Sequence, residues 1–217
     1  MMRLLGITDL HDNRSSLERI LAHAGPVDVL LLGGDITDFG SPNDAERVVR
    51  MLESRPGRIF AVAGNCDSAG VEERLVSLGV SLFQRGVTVD GVGFQGLSAM
   101  PPWRAEMYHF GEEELGAALD AGYRQLAAPA RHVVLSHPPP RATRIDHTHR
   151  GHNVGSTALR EFIDRLQPDL VVCGHIHEGR GVEQLGRTVV VNCGAAAAGF
   201  YALVELGENP TVQLRQA

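Results

Sequence analysis

No apolar run in this chain approaches the roughly 20 residues needed to cross a bilayer, so a membrane-spanning helix is excluded. Met1-Met2-Arg3 leads straight into a strand-like segment instead of the long apolar core of a signal peptide, and a cytoplasmic location is expected. Cysteine is scarce. The three residues, Cys66, Cys173 and Cys193, do not pair evenly, so a disulfide framework is not indicated. Cys173 and Cys193 read as small buried hydrophobes. Basic charge is also short: Lys and Arg total 20 against 26 Asp and Glu and do not cluster, so nucleic acid is not expected as a bulk partner. Repeats, low-complexity tracts and linkers are missing. What remains is 217 residues of which 43% are hydrophobic, enough for a substantial core, and 1–217 is expected to form one domain.

The apolar patterning divides the chain. Leu4–Thr8 reads as a buried strand, Asn13–His23 as an amphipathic helix and Val27–Leu32 as a second strand stopped by Gly33-Gly34. Ser41-Pro42 opens a helix to about Leu52, because Ser caps well and Pro suits the first turn. Ile59–Ala63 is the third strand. This β-α-β-α-β start predicts a parallel sheet with crossover helices. Val80–Leu97 reads as short strands with Gly turns, residues 98–110 as a loop containing Pro and aromatics, and Glu112–Leu126 as a helix with an acidic first turn. Arg131–Leu135 is a buried strand, 137–154 an irregular segment rich in Pro, His and Arg, Gly155–Leu166 a helix and Asp169–Cys173 a strand. From Gly179 to Arg215 strands alternate with Gly turns. The expected architecture is α/β, two packed sheets with helices outside.

The chemistry sits just after the strands: Asp9-Leu10-His11, Gly33-Gly34-Asp35, Gly64-Asn65-Cys66-Asp67, Ser136-His137-Pro138 and Gly174-His175-Ile176-His177. Ligands of open α/β sheets bind beyond the carboxyl ends of the strands, so these distant segments are expected to converge on one rim. In extended backbone the pairs Asp9/His11 and His175/His177 project to one side. Taken singly, an Asp after a strand is most often a helix cap, a His a satisfied polar residue and Gly-Asn a turn. Jointly, two Asp, one Asn and four His make the oxygen-and-nitrogen inventory of a site for two divalent metals, with manganese, iron, zinc, nickel and cobalt all admissible.

Asp-x-His, Gly-Gly-Asp, Gly-Asn-x-Asp, a lone His and Gly-His-x-His, in that order over nearly the whole chain, resemble the calcineurin-like metallophosphoesterase superfamily. The resemblance implies a four-layer α-β-β-α sandwich and a dinuclear phosphoesterase, with phosphodiesters preferred. It implies that Asp9, His11 and His177 hold one metal, that Asn65, His137 and His175 hold the second, that Asp35 bridges, and that a metal-bridging hydroxide is the nucleophile. Catalytic roles for Asp35, Asn65 and His137 are then exerted through the metals. A non-catalytic scaffold of this fold would be expected to lack ligands, yet all seven positions are filled. A nuclease or a phosphomonoesterase is the remaining alternative, and the acidic balance argues against a large polyanionic substrate. The expected partner is a small phosphoester, with no membrane; a homo-oligomer is compatible with the sequence.

Many relatives carry Gly-Asn-His-Asp/Glu, whereas this chain has Cys66 at the third position, which resembles a smaller branch of bacterial and archaeal predicted phosphoesterases. A thiol is a poorer acid than imidazolium at neutral pH. Cys66 reads foremost as a spectator or a weak phosphate contact, with a ligand to a softer metal or an oxidation-sensitive group as alternatives. Among His109, His147, His149 and His152, loop exposure is the default. His152 is preferred for substrate binding because it lies just before the Gly155-Ser156 helix start, whose N-terminus would favour phosphate. Asp12, Asp38 and Asp67 are expected to support ligands and not to bind metal. Trp103, Tyr108 and Phe110 wall the pocket or join the core.

Overall fold

Alternation within single apolar runs sets the layers. In the computed structural model, which describes residues 1–217, β1 (Met2–Ile7), α1 (Arg14–Ala24), β2 (Val29–Gly33), α2 (Pro42–Glu53) and β3 (Arg58–Val62) form the expected parallel start. Leu5, Ile7, Leu30 and Leu32 point to the helices, while Leu4, Val29 and Leu31, one residue out of phase, point the other way. The Ser41 backbone N–H donates to Asp44 at 2.9 Å, fixing the start of α2.

After β3 come α3 (Ala69–Ser77), the hairpin β4 (Gly86–Val89) and β5 (Val92–Leu97), then α4 (Glu112–Tyr123), β6 (Arg131–Ser136), α5 (Thr157–Leu166) and β7 (Leu170–Cys173). The chain ends in β8 (Gly181–Leu185), β9 (Thr188–Asn192), β10 (Phe200–Leu206) and β11 (Thr211–Gln216). One sheet runs β11-β10-β1-β2-β3, the other β4-β5-β6-β7-β9-β8. The two pack face to face: Leu4, Leu31, Phe60 and Val62 meet Phe94, Leu135 and Val172, with the Phe60 and Phe94 rings 5.1 Å apart. α1, α2 and α3 cover the outside of the first sheet, α4 and α5 that of the second. The architecture is the four-layer α-β-β-α sandwich.

Two features go beyond the sequence reading. Residues 69–77 are a helix, capped by the Ser68 hydroxyl on the Val71 N–H, in a stretch to which the sequence reading assigns no element. The C-terminal strands, expected between Gly turns, divide between the two sheets. β9 lies parallel to β7, whereas β10 crosses back to pair antiparallel with β1, so the chain end closes the first sheet. No helix is long and apolar enough to cross a membrane.

Candidate metal centre

β1, β2, β3, β6 and β7 each deliver a polar segment past their carboxyl ends, and these segments meet. The Asp35 carboxylate faces two ways: Oδ2 lies 3.7 Å from His11 Nε2 and Oδ1 lies 3.5 Å from His137 Nε2. Asp9 Oδ1 lies 3.4 Å from His177 Nε2, and both Asp9 oxygens accept from the His175 backbone N–H at 3.0 Å. Asn65 Oδ1 is 2.8 Å from His137 Nε2. Ring centroids of His137 and His175 are 4.9 Å apart, and those of His11 and His177 5.6 Å. The structure thus brings together Asp9, His11, Asp35, Asn65, His137, His175 and His177.

The backbone is strained to achieve this. Asp9, His11, Asp35 and His175 occupy the left-handed region, with φ of 55°, 47°, 44° and 66°. Each such residue costs of order 1–3 kcal/mol, a cost concentrated at functional sites. Two glycines let the turns approach the carboxylates. A Cβ on Gly64 would collide with the backbone N and Oδ1 of Asp35, and one on Gly174 would collide with Asp9 Oδ2 and the Thr8 side chain.

Buried polar residues hold the turns in place. Asp67 accepts from the N–H groups of Ile36, Thr37 and Gly64 and from the Thr37 hydroxyl, tying the β2 and β3 turns together. Burial and the Asp35 charge push its carboxyl up to about 6 against these donors. Asp12 accepts from the Asp38 N–H, and Asp38 stands 3.9 Å from His11 Nδ1. Asn192, not identified from sequence, donates to the carbonyls of Gly174 and Ile176 and accepts from the Gly194 N–H, which fixes the β7 turn. Its signal was a polar residue ending the apolar run Val189–Val191. Burial alone would raise the Asp9 pKa, but the His177 hydrogen bond and the charges of His137 and His177 outweigh it and hold the carboxyl at about 2. The same pairing raises His177.

The donor set fits divalent cations. His137 Nδ1 lies 3.0 Å from the Gly33 carbonyl, which can only accept, so Nδ1 carries a proton. Its Nε2 then faces Asn65 Oδ1 at 2.8 Å and Asp35 Oδ1 at 3.5 Å, an arrangement that a bound cation would satisfy. His175 Nε2 is buried with no hydrogen-bond partner. Burial, reinforced by His137, pushes its pKa down to about 3, so the ring is neutral with a free lone pair.

Cys66 sits at this rim. Its N–H donates to Asp35 Oδ1 at 2.7 Å, its sulfur lies 3.4 Å from Asn65 Nδ2, and the sulfur groups with His11 and Asp38 within 4.8 Å. Burial and then Asp35 raise the thiol pKa, so it stays protonated. The Met107 sulfur also meets Asn65 Nδ2 at 3.4 Å, a contact nothing in the sequence announced. Trp103 stands 5.4 Å from the His175 ring, whereas Tyr108 and Phe110 pack against the cores.

The other histidines lie outside this cluster of hydrogen bonds. His109 Nδ1 contacts the Met107 carbonyl, His147 pairs with Asn153 through backbone, and the His149 N–H donates to Glu178, next to His177. His152 is exposed, its N–H turned to the Thr148 hydroxyl. The helix start behind it is not free for phosphate. Glu112 takes that place, accepting from the Ser156 hydroxyl and the N–H groups of Thr157 and Ala158, so the anion there is the protein's own.

A family model for calcineurin-like phosphoesterases matches residues 2–179. An uncharacterized protein of Methanocaldococcus jannaschii is 30% identical over 202 residues, covering 88% of this chain and 87% of that protein. A 3',5'-cyclic-nucleotide phosphodiesterase of Nostoc is 27% identical over 193 residues, 81% of this chain and 65% of that one. Among solved structures, a protein of Thermus thermophilus superposes with a TM-score of 0.76 at 19% identity, over 99% of this chain and 98% of its own.

Proposed function

The chain belongs to the calcineurin-like phosphoesterase family, whose members are metal-dependent phosphoester hydrolases, and on that premise we propose that it hydrolyses small phosphodiesters at a centre of two divalent ions. Asp9, His11 and His177 would hold one ion and Asn65, His137 and His175 the other, with Asp35 available to both. The observation that carries this reading is the Asp35 carboxylate, whose two oxygens face His11 and His137 from opposite sides. Metal ions of this kind, when bound, acidify water to near neutrality and offset charge on phosphoryl oxygens.

The chain's own groups do the positioning. The Gly33 carbonyl fixes the His137 tautomer, and the Cys66 N–H orients the Asp35 carboxylate. Asn192 holds the turn that carries His175 and His177. No side chain acts as nucleophile: Cys66 stays protonated and neighbours Asp35, so it is a spectator or a weak phosphate contact. Gly64-Asn65-Cys66-Asp67 supports the reading that the chain falls in the branch lacking the histidine of Gly-Asn-His-Asp/Glu. The diester preference draws support from the Nostoc relative named as a phosphodiesterase. Manganese is one of the ions that the mixed oxygen-and-nitrogen donor set admits, and the whole chain acts as one cytoplasmic domain.

The test is metal reconstitution. Protein stripped with chelator and reloaded with manganese, zinc, iron, nickel or cobalt is expected to bind two ions per chain. It is expected to cleave bis-nitrophenyl phosphate faster than nitrophenyl phosphate. Faster cleavage of the monoester would reverse the substrate assignment, and a protein that binds no metal would remove the centre.

A further inference from the structure

We infer that Phe39 and Trp103 form an aromatic clamp at the mouth of the centre that takes a flat ring carried by the ester, so that preferred substrates bear an aryl or heteroaromatic group. The inference rests on the hydrolase reading of the centre. Trp103, the single tryptophan of the chain, is 39% exposed on the 98–110 loop with its ring 5.4 Å from that of His175. Phe39 stands on the other half of the rim. Its N–H donates to the Cys66 carbonyl at 3.0 Å, and the preceding Asp38 approaches His11 Nδ1 to 3.9 Å.

Phe39 is 63% exposed, and its φ of 54° is left-handed, a genuine outlier for a bulky side chain. Asp, Asn or Gly would fill that turn with less strain. A strained, exposed aromatic four residues past Asp35 is the kind of backbone outlier that points to function. Metal ions grip a phosphoryl group whatever it is attached to. Discrimination among esters must therefore come from side chains at the mouth, and aromatic faces hold flat rings by offset stacking.

Phenylphosphonate and methylphosphonate separate the two contributions, because both present the same phosphonate to the metals and neither carries a hydrolysable ester. On the metal-loaded protein, phenylphosphonate is expected to inhibit nitrophenyl diester hydrolysis about tenfold more tightly than methylphosphonate. It is expected to change the Trp103 emission saturably over the same range. Phe39→Ala and Trp103→Ala should each bring the two inhibition constants within about threefold, and Phe39→Tyr should keep them apart. Phe39→Gly removes the left-handed strain, so it should lose the phenyl preference without lowering Tm. A marked fall in Tm would make Phe39 structural and overturn the clamp. Equal constants in the wild-type protein with turnover intact would overturn the clamp and leave the hydrolase reading standing. Absence of both inhibition and turnover would overturn the hydrolase reading and the clamp with it.

Discussion

Replacing His132 by phenylalanine should make the fold resistant to acid. His132 opens β6 at the end remote from the metal rim and is 8% exposed. Its ring lies 5.5 Å from Tyr123 and 6.0 Å from Phe162, and its Nε2 is buried without a hydrogen-bond partner. Burial, helped by Arg187 and opposed by Asp169, pushes its pKa down from 6.5 to about 4. The folded state therefore keeps this ring neutral while the unfolded chain takes up a proton below pH 6.5. Stability from the neutral ring is complete above that value and is lost as pH falls toward 4. At about 1.4 kcal/mol per pH unit the loss over the window is about 3 kcal/mol, of which about 2 kcal/mol has gone by pH 5. His132→Phe keeps the aromatic contacts and removes the proton site. Urea unfolding of chelator-treated protein at pH 7.5, 6 and 5 reads the difference. The other nine histidines are common to both proteins, so their contributions cancel in the comparison. The variant should match the wild type at pH 7.5 to within about 1 kcal/mol and exceed it by about 2 kcal/mol at pH 5. Parallel stability curves for the two proteins would refute the reasoning.

Asp35→Ala should lower the occupancy of both metal positions, read by elemental analysis, and cut turnover by on the order of 10³-fold, because one carboxylate faces both halves; retention of both ions would separate Asp35 from the centre. Single-turnover hydrolysis in oxygen-18 water should place the label in the phosphate product, and recovery of a phosphorylated side chain would demand another mechanism. Gly64→Ala should destabilise the fold by about 1–3 kcal/mol and weaken metal binding, measured by melting and calorimetry, because its Cβ meets the Asp35 backbone and carboxylate. Cys66→Ala should change cleavage of a nitrophenyl diester by less than about threefold, and Cys66→His should help alkoxide leaving groups more than nitrophenolate, since only the former need a proton. Loss of nitrophenyl diester turnover in Cys66→Ala with both ions retained would give the thiol a direct role.

The fold was legible where a short run carries its own evidence. Val29–Gly33 is apolar at nearly every position and bounded by glycine, so a strand buried on both faces is its only economical use. α3 was missed because Ala69–Ser77 is short and amphipathic, and buries Val71, Glu72 and Leu75 among polar neighbours. Its stability comes from α2, against which it packs, and that partner cannot be read from the nine residues themselves. The return of β10 to β1 was illegible for the same reason: nothing local distinguishes a strand that extends one sheet from a strand that crosses to the other.

The candidate centre obeys the same distinction between local and distant causes. Parallel strands end at a common rim, so each polar residue placed one to four positions past a strand was already directed to the others, and the order of motifs supplied the rest. Glu112 shows what that logic cannot reach. Read alone, an acidic first turn serves its own helix. In the fold α4 lies beside α5, and the Glu112 carboxylate caps the neighbouring helix 44–46 residues further along the chain. An anion site at that helix start was a sound inference from the sequence, and the protein fills it with its own side chain. The left-handed φ of Asp9, His11, Asp35 and His175 has the same origin. Asp tolerates that region through local hydrogen bonds, but what holds these turns is contact across the rim: the His175 N–H on Asp9, the Cys66 N–H on Asp35 and Asn192 beneath Gly174. Local sequence therefore selects the ligand types, and distant segments set the angles at which they meet. Variants at the supporting positions should accordingly weaken metal binding without removing a single candidate ligand.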